Sequence, residues 1–136
     1  MNKFVAGEHV FVDMYGVVYS FDSLMDALIV SCERSGATII RYDAHIFDER
    51  SEQGQDAFTA YILLSESHCS VHTWPEHDYI GIDFFFCGEA KSEEAILYLK
   101  ENIQHEIIQV KKHFRGVIDE NTDRKLQERG REATTD

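Results

Sequence analysis

The sequence of 136 residues has a single proline, only three cysteines and no long apolar run. No stretch approaches the roughly 20 apolar residues that cross a bilayer, and the N-terminus lacks the apolar segment of a secretion signal. Three cysteines with no C-x-x-C pair argue against a disulfide framework and against a structural zinc site. We therefore expect a cytoplasmic protein with free thiols and no membrane attachment.

Basic residues are also scarce, because 13 Lys and Arg stand against 25 Asp and Glu, which gives a formal net charge of −12. A phosphate backbone would be repelled by this charge, so we expect no nucleic-acid partner. A small cationic ligand remains compatible with it. An apolar fraction of 43% with nine Phe and six Tyr is typical of a globular chain, and its length suits one domain.

The hydrophobic pattern predicts an α+β fold, a two-layer sandwich of a mainly antiparallel sheet with two helices on one face. One helix begins at Ser20 or Asp22 and ends at Gly36, and the second is capped by Ser92. The other face of the sheet is left uncovered, so we expect a dimer. The predicted strands are residues 9–15, 38–47, 58–64, 79–86 and 105–114, with a polar loop at 48–56. Residues 1–114 form the predicted domain, and residues 115–136 form a polar tail.

The strand at residues 79–86 has the clearest alternation in the sequence. Ile80, Ile82, Phe84 and Phe86 share one face, which we assign to the core. Cys87 continues the opposite, more polar face, and its sulfur should point away from the core.

Residues 64–76 collect three serines, two histidines, one cysteine, two glutamates and the chain's only Trp and Pro. One interpretation is a zinc site made by His68, His72 and His77 with Cys69 or Glu76. However, Pro75 and the β-branched residues favour an extended segment, on which His68 and His72 would lie about 13 Å apart. A second interpretation is hydrolysis by a serine or cysteine nucleophile, although no G-x-S-x-G turn or papain-like cysteine is present.

A third interpretation is self-cleavage. A serine hydroxyl can attack the carbonyl of the preceding residue, which converts the amide to an ester. β-Elimination of that ester leaves a dehydroalanine, which takes up water and releases ammonia to become an N-terminal pyruvoyl group. This chemistry needs a serine at a strained turn, a base for its α-proton and groups that polarise the carbonyl. Glu66-Ser67, followed by His72, supplies these residue types.

The run SESH-x-S-x-HTWPE followed by IDFFFCG closely resembles the bacterial and archaeal S-adenosylmethionine decarboxylases, which are pyruvoyl-dependent. About 110 residues resemble that family in order and spacing, and the HTWPE run with a Cys-Gly at this separation is a specific signal. The resemblance implies cleavage between Glu66 and Ser67, into a β chain of residues 1–66 and an α chain of residues 67–136. It also implies a role in spermidine synthesis, and the dimer expected from the uncovered sheet face would then be a homodimer of cleaved chains. The implied cofactor is a covalent pyruvoyl group made from Ser67, with neither pyridoxal phosphate nor a metal.

The resemblance implies a role for each matching residue. Ser67 becomes the pyruvoyl group, His72 accepts the proton in processing, and Cys87 donates the proton in catalysis. Thr59 stands where the family usually has a serine that assists processing. Three further positions match substrate contacts, namely the aromatic residues Phe47 and Trp74 and the ribose-binding carboxylate of Glu76. Each side chain also has an ordinary structural explanation, such as core packing for Cys87 or a turn cap for Glu76.

Two departures from the family pattern concern the substrate more than the cleavage. The polar loop at residues 48–56, beside Phe47, is about half a dozen residues longer than the family usually has, and Thr59 replaces the serine. The alternatives are therefore a pyruvoyl-dependent decarboxylase of a free basic amino acid, ornithine or arginine, and an unprocessed homologue with a binding or regulatory role.

Overall fold

The computed structural model describes residues 4–50 and 54–134, and only the backbone of residues 49, 50 and 131–134. The strands are β1 Gly7–Tyr15, β2 Ile39–Arg50, β3 Asp56–Leu64, β4 His68–Trp74, β5 Tyr79–Cys87 and β6 Ile107–Arg115. The helices are α1 Phe21–Arg34, α2 Ser92–Asn102 and α3 Glu120–Thr134, and a 3₁₀ turn at Pro75–His77 follows β4. The strands form one antiparallel sheet in the order β2-β3-β4-β5-β1-β6.

The core lies between the sheet and the α1–α2 pair, which packs on one face of the sheet. On β5, Ile80, Ile82, Phe84 and Phe86 are buried as the alternation predicts. Helix α1 contributes a stripe of buried residues that includes Leu24, Leu28 and Cys32. The predicted α+β architecture is therefore confirmed.

The second face of the sheet carries no helix among the described residues, and we call it the open face. It presents His9, Phe11, Asp13 and Tyr15 from β1, together with the outward side chains of the neighbouring strands. Several of its aromatic side chains are exposed, among them Phe11, Tyr61 and Trp74.

Three details differ from the sequence prediction. The sheet has a sixth strand, β4, because the chain reverses at Ser65-Glu66 and pairs between β3 and β5. The predicted loop at 48–56 is shorter, since β2 continues to Arg50 and β3 begins at Asp56, while residues 51–53 lie outside the described residues. Ser92 does not cap α2, because its hydroxyl donates a hydrogen bond of 3.0 Å to Glu8 Oε1, and Lys91 occupies the N-cap position.

The predicted cap of α1 is confirmed at Ser20, whose hydroxyl accepts a hydrogen bond from the Ser23 amide at 3.1 Å. The polar tail contains α3, whose described side chains are largely exposed. No helix in residues 4–50 and 54–134 is long and apolar enough to span a membrane.

Candidate active site

The bond between Glu66 and Ser67 lies in the tight turn that joins β3 to β4. Leu64 and Ser67 exchange two backbone hydrogen bonds, of 3.0 and 3.4 Å, and Ser65 and Glu66 form the connection between them. The Ser65 amide also donates to the Thr38 carbonyl at 2.9 Å. Neither turn residue has a positive φ, so the predicted strain does not take the form of left-handed backbone here.

Ser67 lies beside the end of β5. The Cys87 backbone amide donates a hydrogen bond of 3.3 Å to Ser67 Oγ, and both residues are half-buried. Gly88 turns the chain after Cys87 with a φ of +67°, and a Cβ at this position would lie 3.0 Å from Glu66 Oε2. The turn at Gly88 therefore places Cys87 and the Glu66–Ser67 bond side by side.

A cavity of about 610 Å³ opens at this end of the molecule, where three connections meet. They are the α1–β2 connection, the β3–β4 turn and the β5–α2 connection. Glu66, Ser67 and Cys87 line the cavity together with Arg34 and Lys91. Among the described residues, none of those that line the cavity is aromatic.

Thr59 and His72 form a second group on the open face, away from Ser67. Thr59 Oγ1 lies 3.1 Å from His72 Nδ1, and the two residues are register partners on β3 and β4. His68, next to Ser67, precedes His72 by four strand positions, which is about 13 Å along the strand. The structure therefore brings Thr59 to His72 and Ser67 to Cys87, but it does not bring the two pairs together within one chain.

Aromatic rings stack beside His72. The Trp74 and Tyr79 ring centroids are 5.3 Å apart, and those of Tyr79 and Tyr15 are 5.1 Å apart. The Tyr79 hydroxyl donates to Asp13 Oδ1 at 2.5 Å. Burial and this contact with the carboxylate raise the pKa of Tyr79, so the phenol stays protonated.

The remaining predicted substrate residues lie at the same end of the open face as Trp74. Glu76 is exposed in the 3₁₀ turn that follows β4. Phe47 is exposed on β2, and its ring packs edge-on against His45 with 4.7 Å between centroids.

Sequence reasoning did not single out several residues of these groups, among them Asp13, Tyr79, Arg34 and Lys91. It also did not single out His9, whose Nε2 is buried 3.7 Å from Asp83 Oδ1 and has no hydrogen-bond partner in the part of the chain that the structure describes. Burial lowers the pKa of His9, and the nearby Asp83 carboxylate partly opposes that effect. The alternation along β1 would have placed His9 and Asp13 on the open face, but it could not indicate what they contact.

Cys69 and Cys32, which we leave as structural, are buried in the core. Burial and the neighbouring Cys32 thiol raise the pKa of Cys69 well above its ordinary value. His77 follows Glu76 in the 3₁₀ turn. Within the described residues, no three His, Cys, Asp or Glu side chains are grouped as a metal site would require.

Comparison with known proteins gives consistent matches. The family model of S-adenosylmethionine decarboxylase matches residues 8–116. The S-adenosylmethionine decarboxylase proenzyme of Clostridium botulinum (strain Loch Maree / Type A3) is 36% identical over 121 residues, covering 84% of this chain and 97% of that protein. The proenzyme of Brevibacillus brevis is 40% identical over 118 residues, covering 82% of this chain and 83% of that protein.

A solved structure also matches. The crystal structure of the adenosylmethionine decarboxylase from Aquifex aeolicus superposes with a TM-score of 0.72 at 26% identity, covering 85% of this chain and 95% of that chain. The fold and the matches together define a decarboxylase, a carbon–carbon lyase. Within that class, the chain belongs to the S-adenosylmethionine decarboxylase family. The resemblance drawn from the SESH and HTWPE runs is thereby confirmed.

Proposed function

We propose that this chain cleaves itself between Glu66 and Ser67, turns Ser67 into a pyruvoyl group and decarboxylates S-adenosylmethionine in the cytoplasm, for spermidine synthesis. The observation that carries the proposal is the 3.3 Å hydrogen bond from the Cys87 amide to Ser67 Oγ, beside an open cavity. The relatives from Clostridium botulinum and Brevibacillus brevis carry the word proenzyme in their names, which supports the cleavage. Neither alternative, a basic amino acid as substrate or an unprocessed homologue, is favoured by these matches.

The residues around Ser67 fit a pyruvoyl group. Ser67 begins the segment after the hairpin turn, its side chain meets a backbone N–H donor, and the cavity beside it admits a small molecule. A pyruvoyl carbonyl supplies an electron sink for the carbanion that remains when carbon dioxide leaves an amino acid.

In this proposal Cys87 returns a proton to the substrate carbon after carbon dioxide has left. Its side chain lies on the open-face side of β5 and is half-buried. A thiol is acidic enough to protonate a carbanion on carbon.

Phe47, Trp74 and Glu76 are proposed to hold the nucleoside part of the substrate. Phe47 and Trp74 lie on strands separated by β3, which puts their backbones roughly 10 Å apart. Aromatic faces attract a sulfonium cation by about 0.5–2 kcal/mol. The exposed Glu76 carboxylate can accept hydrogen bonds from ribose hydroxyls.

We further propose that the active site is completed by a second copy of the chain. His72 can accept the Ser67 α-proton only at hydrogen-bonding distance, yet the strand places the two residues more than 10 Å apart in one chain. If two open faces pack about a two-fold axis, the partner subunit's His72 and the partner subunit's Thr59 can face Ser67. The exposed aromatic residues of the open face, Phe11, Tyr61 and Trp74, would then be buried.

A substrate panel tests the proposed reaction. Purified protein should release carbon dioxide from S-adenosylmethionine and leave ornithine and arginine unchanged, while Ser67→Ala should be inactive with all three. Release from ornithine or arginine instead would contradict the proposed substrate. No release from any of them by fully cleaved protein would contradict the proposed enzyme.

A further inference from the structure

We propose that Arg34 and Lys91 bind the carboxylate that leaves residue 66 during self-cleavage, and so assist that cleavage. This inference rests on the proposed self-cleavage. It assigns to the cavity beside the Glu66–Ser67 bond a role that the decarboxylation itself does not require.

The leaving group of the cleavage is a carboxylate. Ser67 Oγ adds to the Glu66 carbonyl carbon, the C–N bond breaks, and the hydroxyl proton goes to the freed amine, which gives an ester. A base then removes the Ser67 α-proton, and the Cβ–Oγ bond breaks with its electron pair going to the oxygen. Residue 66 departs as a carboxylate, and the dehydroalanine that remains takes up water and releases ammonia to become the pyruvoyl group.

This step creates one new negative charge at the wall of the cavity. Before cleavage, the lining of the cavity includes two cations, Arg34 and Lys91, and two carboxylates, Glu66 and Glu89, so the formal charges balance. Within residues 4–50 and 54–134, neither Arg34 nor Lys91 has a carboxylate within 4.0 Å. Both cations are therefore available to a third carboxylate.

Neither helix capping nor the helix dipole explains why a lysine occupies position 91. It is the N-cap of α2, and its side chain makes no capping hydrogen bond. A cation at a helix N-terminus is opposed by the helix dipole, and lysine is not a capping residue. The Lys91 amide donates to the Ser35 carbonyl at 2.8 Å, which fixes its backbone next to the end of α1.

Arg34 lies on the other side of the same connection. It is the last residue of α1, and its guanidinium stands over the Tyr98 ring at 5.5 Å from the centroid. A guanidinium held over a ring loses less freedom when it binds an anion, and its planar fork suits a carboxylate. Arg34 and Lys91 thus line the same cavity as the Glu66–Ser67 turn from two separate elements, the end of α1 and the start of α2.

The change in charge during the two reactions favours the leaving carboxylate over the carboxylate of the substrate as the anion that Arg34 and Lys91 bind. Strong ion pairing to the substrate carboxylate would stabilise the ground state more than the transition state, in which that charge is lost with carbon dioxide. The same pairing to residue 66 stabilises a charge that grows in the transition state of the elimination.

The time course of cleavage of the full chain tests this proposal, followed by intact mass with and without hydroxylamine, which cuts esters far faster than amides. The double variant Arg34→Gln with Lys91→Gln should cleave roughly ten- to a hundredfold more slowly than the parent and should accumulate a hydroxylamine-sensitive ester. Arg34→Lys with Lys91→Arg, which keeps both charges, should recover most of the rate. Lys100→Gln, which removes an exposed cation from the last turn of α2, should cleave at the parental rate.

Three results would overturn the proposal. One is cleavage of a folded double variant at the parental rate. Another is slow cleavage with no ester, which would place the cations at the acyl shift. The third is normal cleavage with a KM for S-adenosylmethionine raised tenfold or more, which would assign the cations to the substrate. A parent chain that never cleaves contradicts the proposed function itself and is recognised before any variant is made.

Discussion

Cys69 and Cys87 are the same residue type in very different surroundings. Cys69 is buried among core residues, with a pKa raised by burial and by Cys32, whereas Cys87 is half-buried beside Ser67 Oγ. Alternation along β5 was enough to predict the orientation of Cys87 from the sequence. Its contact with Ser67 could not be predicted, because that contact depends on how the β3–β4 turn meets the end of β5.

Replacing Cys87 separates catalysis from maturation. Cys87→Ala removes the proposed proton donor but leaves the Ser67 hydroxyl and the backbone amide that it contacts. We expect the variant to cleave at least partly, yet to lose about 10²–10⁴ in turnover per cleaved chain. Carbon dioxide release, normalised to the cleaved fraction measured on gels, is the readout. Cys69→Ala should lower the melting temperature without this loss, and an equally active Cys87→Ala chain would make the thiol structural.

At the scale of elements, the pairing of β1 with β5 fixes the end of β5 that carries Cys87. Gly7 is the register partner of Cys87, and a Cβ on Gly7 would clash with the Phe86 carbonyl oxygen. Gly7→Ala must therefore push the two strands apart. We expect it to destabilise the fold by about 1–3 kcal/mol and to slow self-cleavage, as read from thermal melting and gel mobility.

Gly130→Ala is the matched control for Gly7→Ala. Gly130 is inside α3, and no described atom outside the helix backbone lies within 4 Å of a Cβ at this position. Alanine is favoured over glycine inside a helix by roughly 0.5–1 kcal/mol. The melting temperature of Gly130→Ala should therefore rise slightly or stay unchanged. If Gly7→Ala behaves like this control, the β1–β5 pairing does not fix the site.

The sequence predicted elements well where local pattern decides them. The alternation of β5 and the Ser20 cap of α1 both have local causes, and both are confirmed. The sequence pattern did not separate β4 from β3, because the chain reversal at Ser65-Glu66 contains neither glycine nor proline. The prediction that Ser92 caps α2 was wrong, because the Ser92 hydroxyl donates its hydrogen bond to Glu8, which is 84 positions away in the sequence. Long-range contacts of this kind leave no trace in a local pattern.

At the scale of the whole molecule, the separation of Ser67–Cys87 from Thr59–His72 leads to a prediction about mixed dimers. Ser67→Ala and His72→Ala chains should each stay uncut when expressed alone. When they are expressed together, a mixed dimer joins an intact Ser67 to an intact His72 across the interface. At equal expression and random pairing, about half of the His72→Ala chains should then be cleaved, while the Ser67→Ala chains remain whole.

Mass spectrometry of differently tagged chains reads this result directly. No cleavage in the mixture would contradict the shared site. Efficient cleavage of His72→Ala alone would show that His72 is not the proton acceptor.

Intact mass spectrometry of the purified parent protein tests the central claim most directly. The account predicts two chains, residues 1–66 and residues 67–136, with a pyruvoyl group in place of Ser67 at the start of the second. Ser67→Ala should give only the full-length mass, because no hydroxyl remains to attack the Glu66 carbonyl. A parent protein that stays a single chain after prolonged incubation, or one cleaved at another bond, would contradict the account.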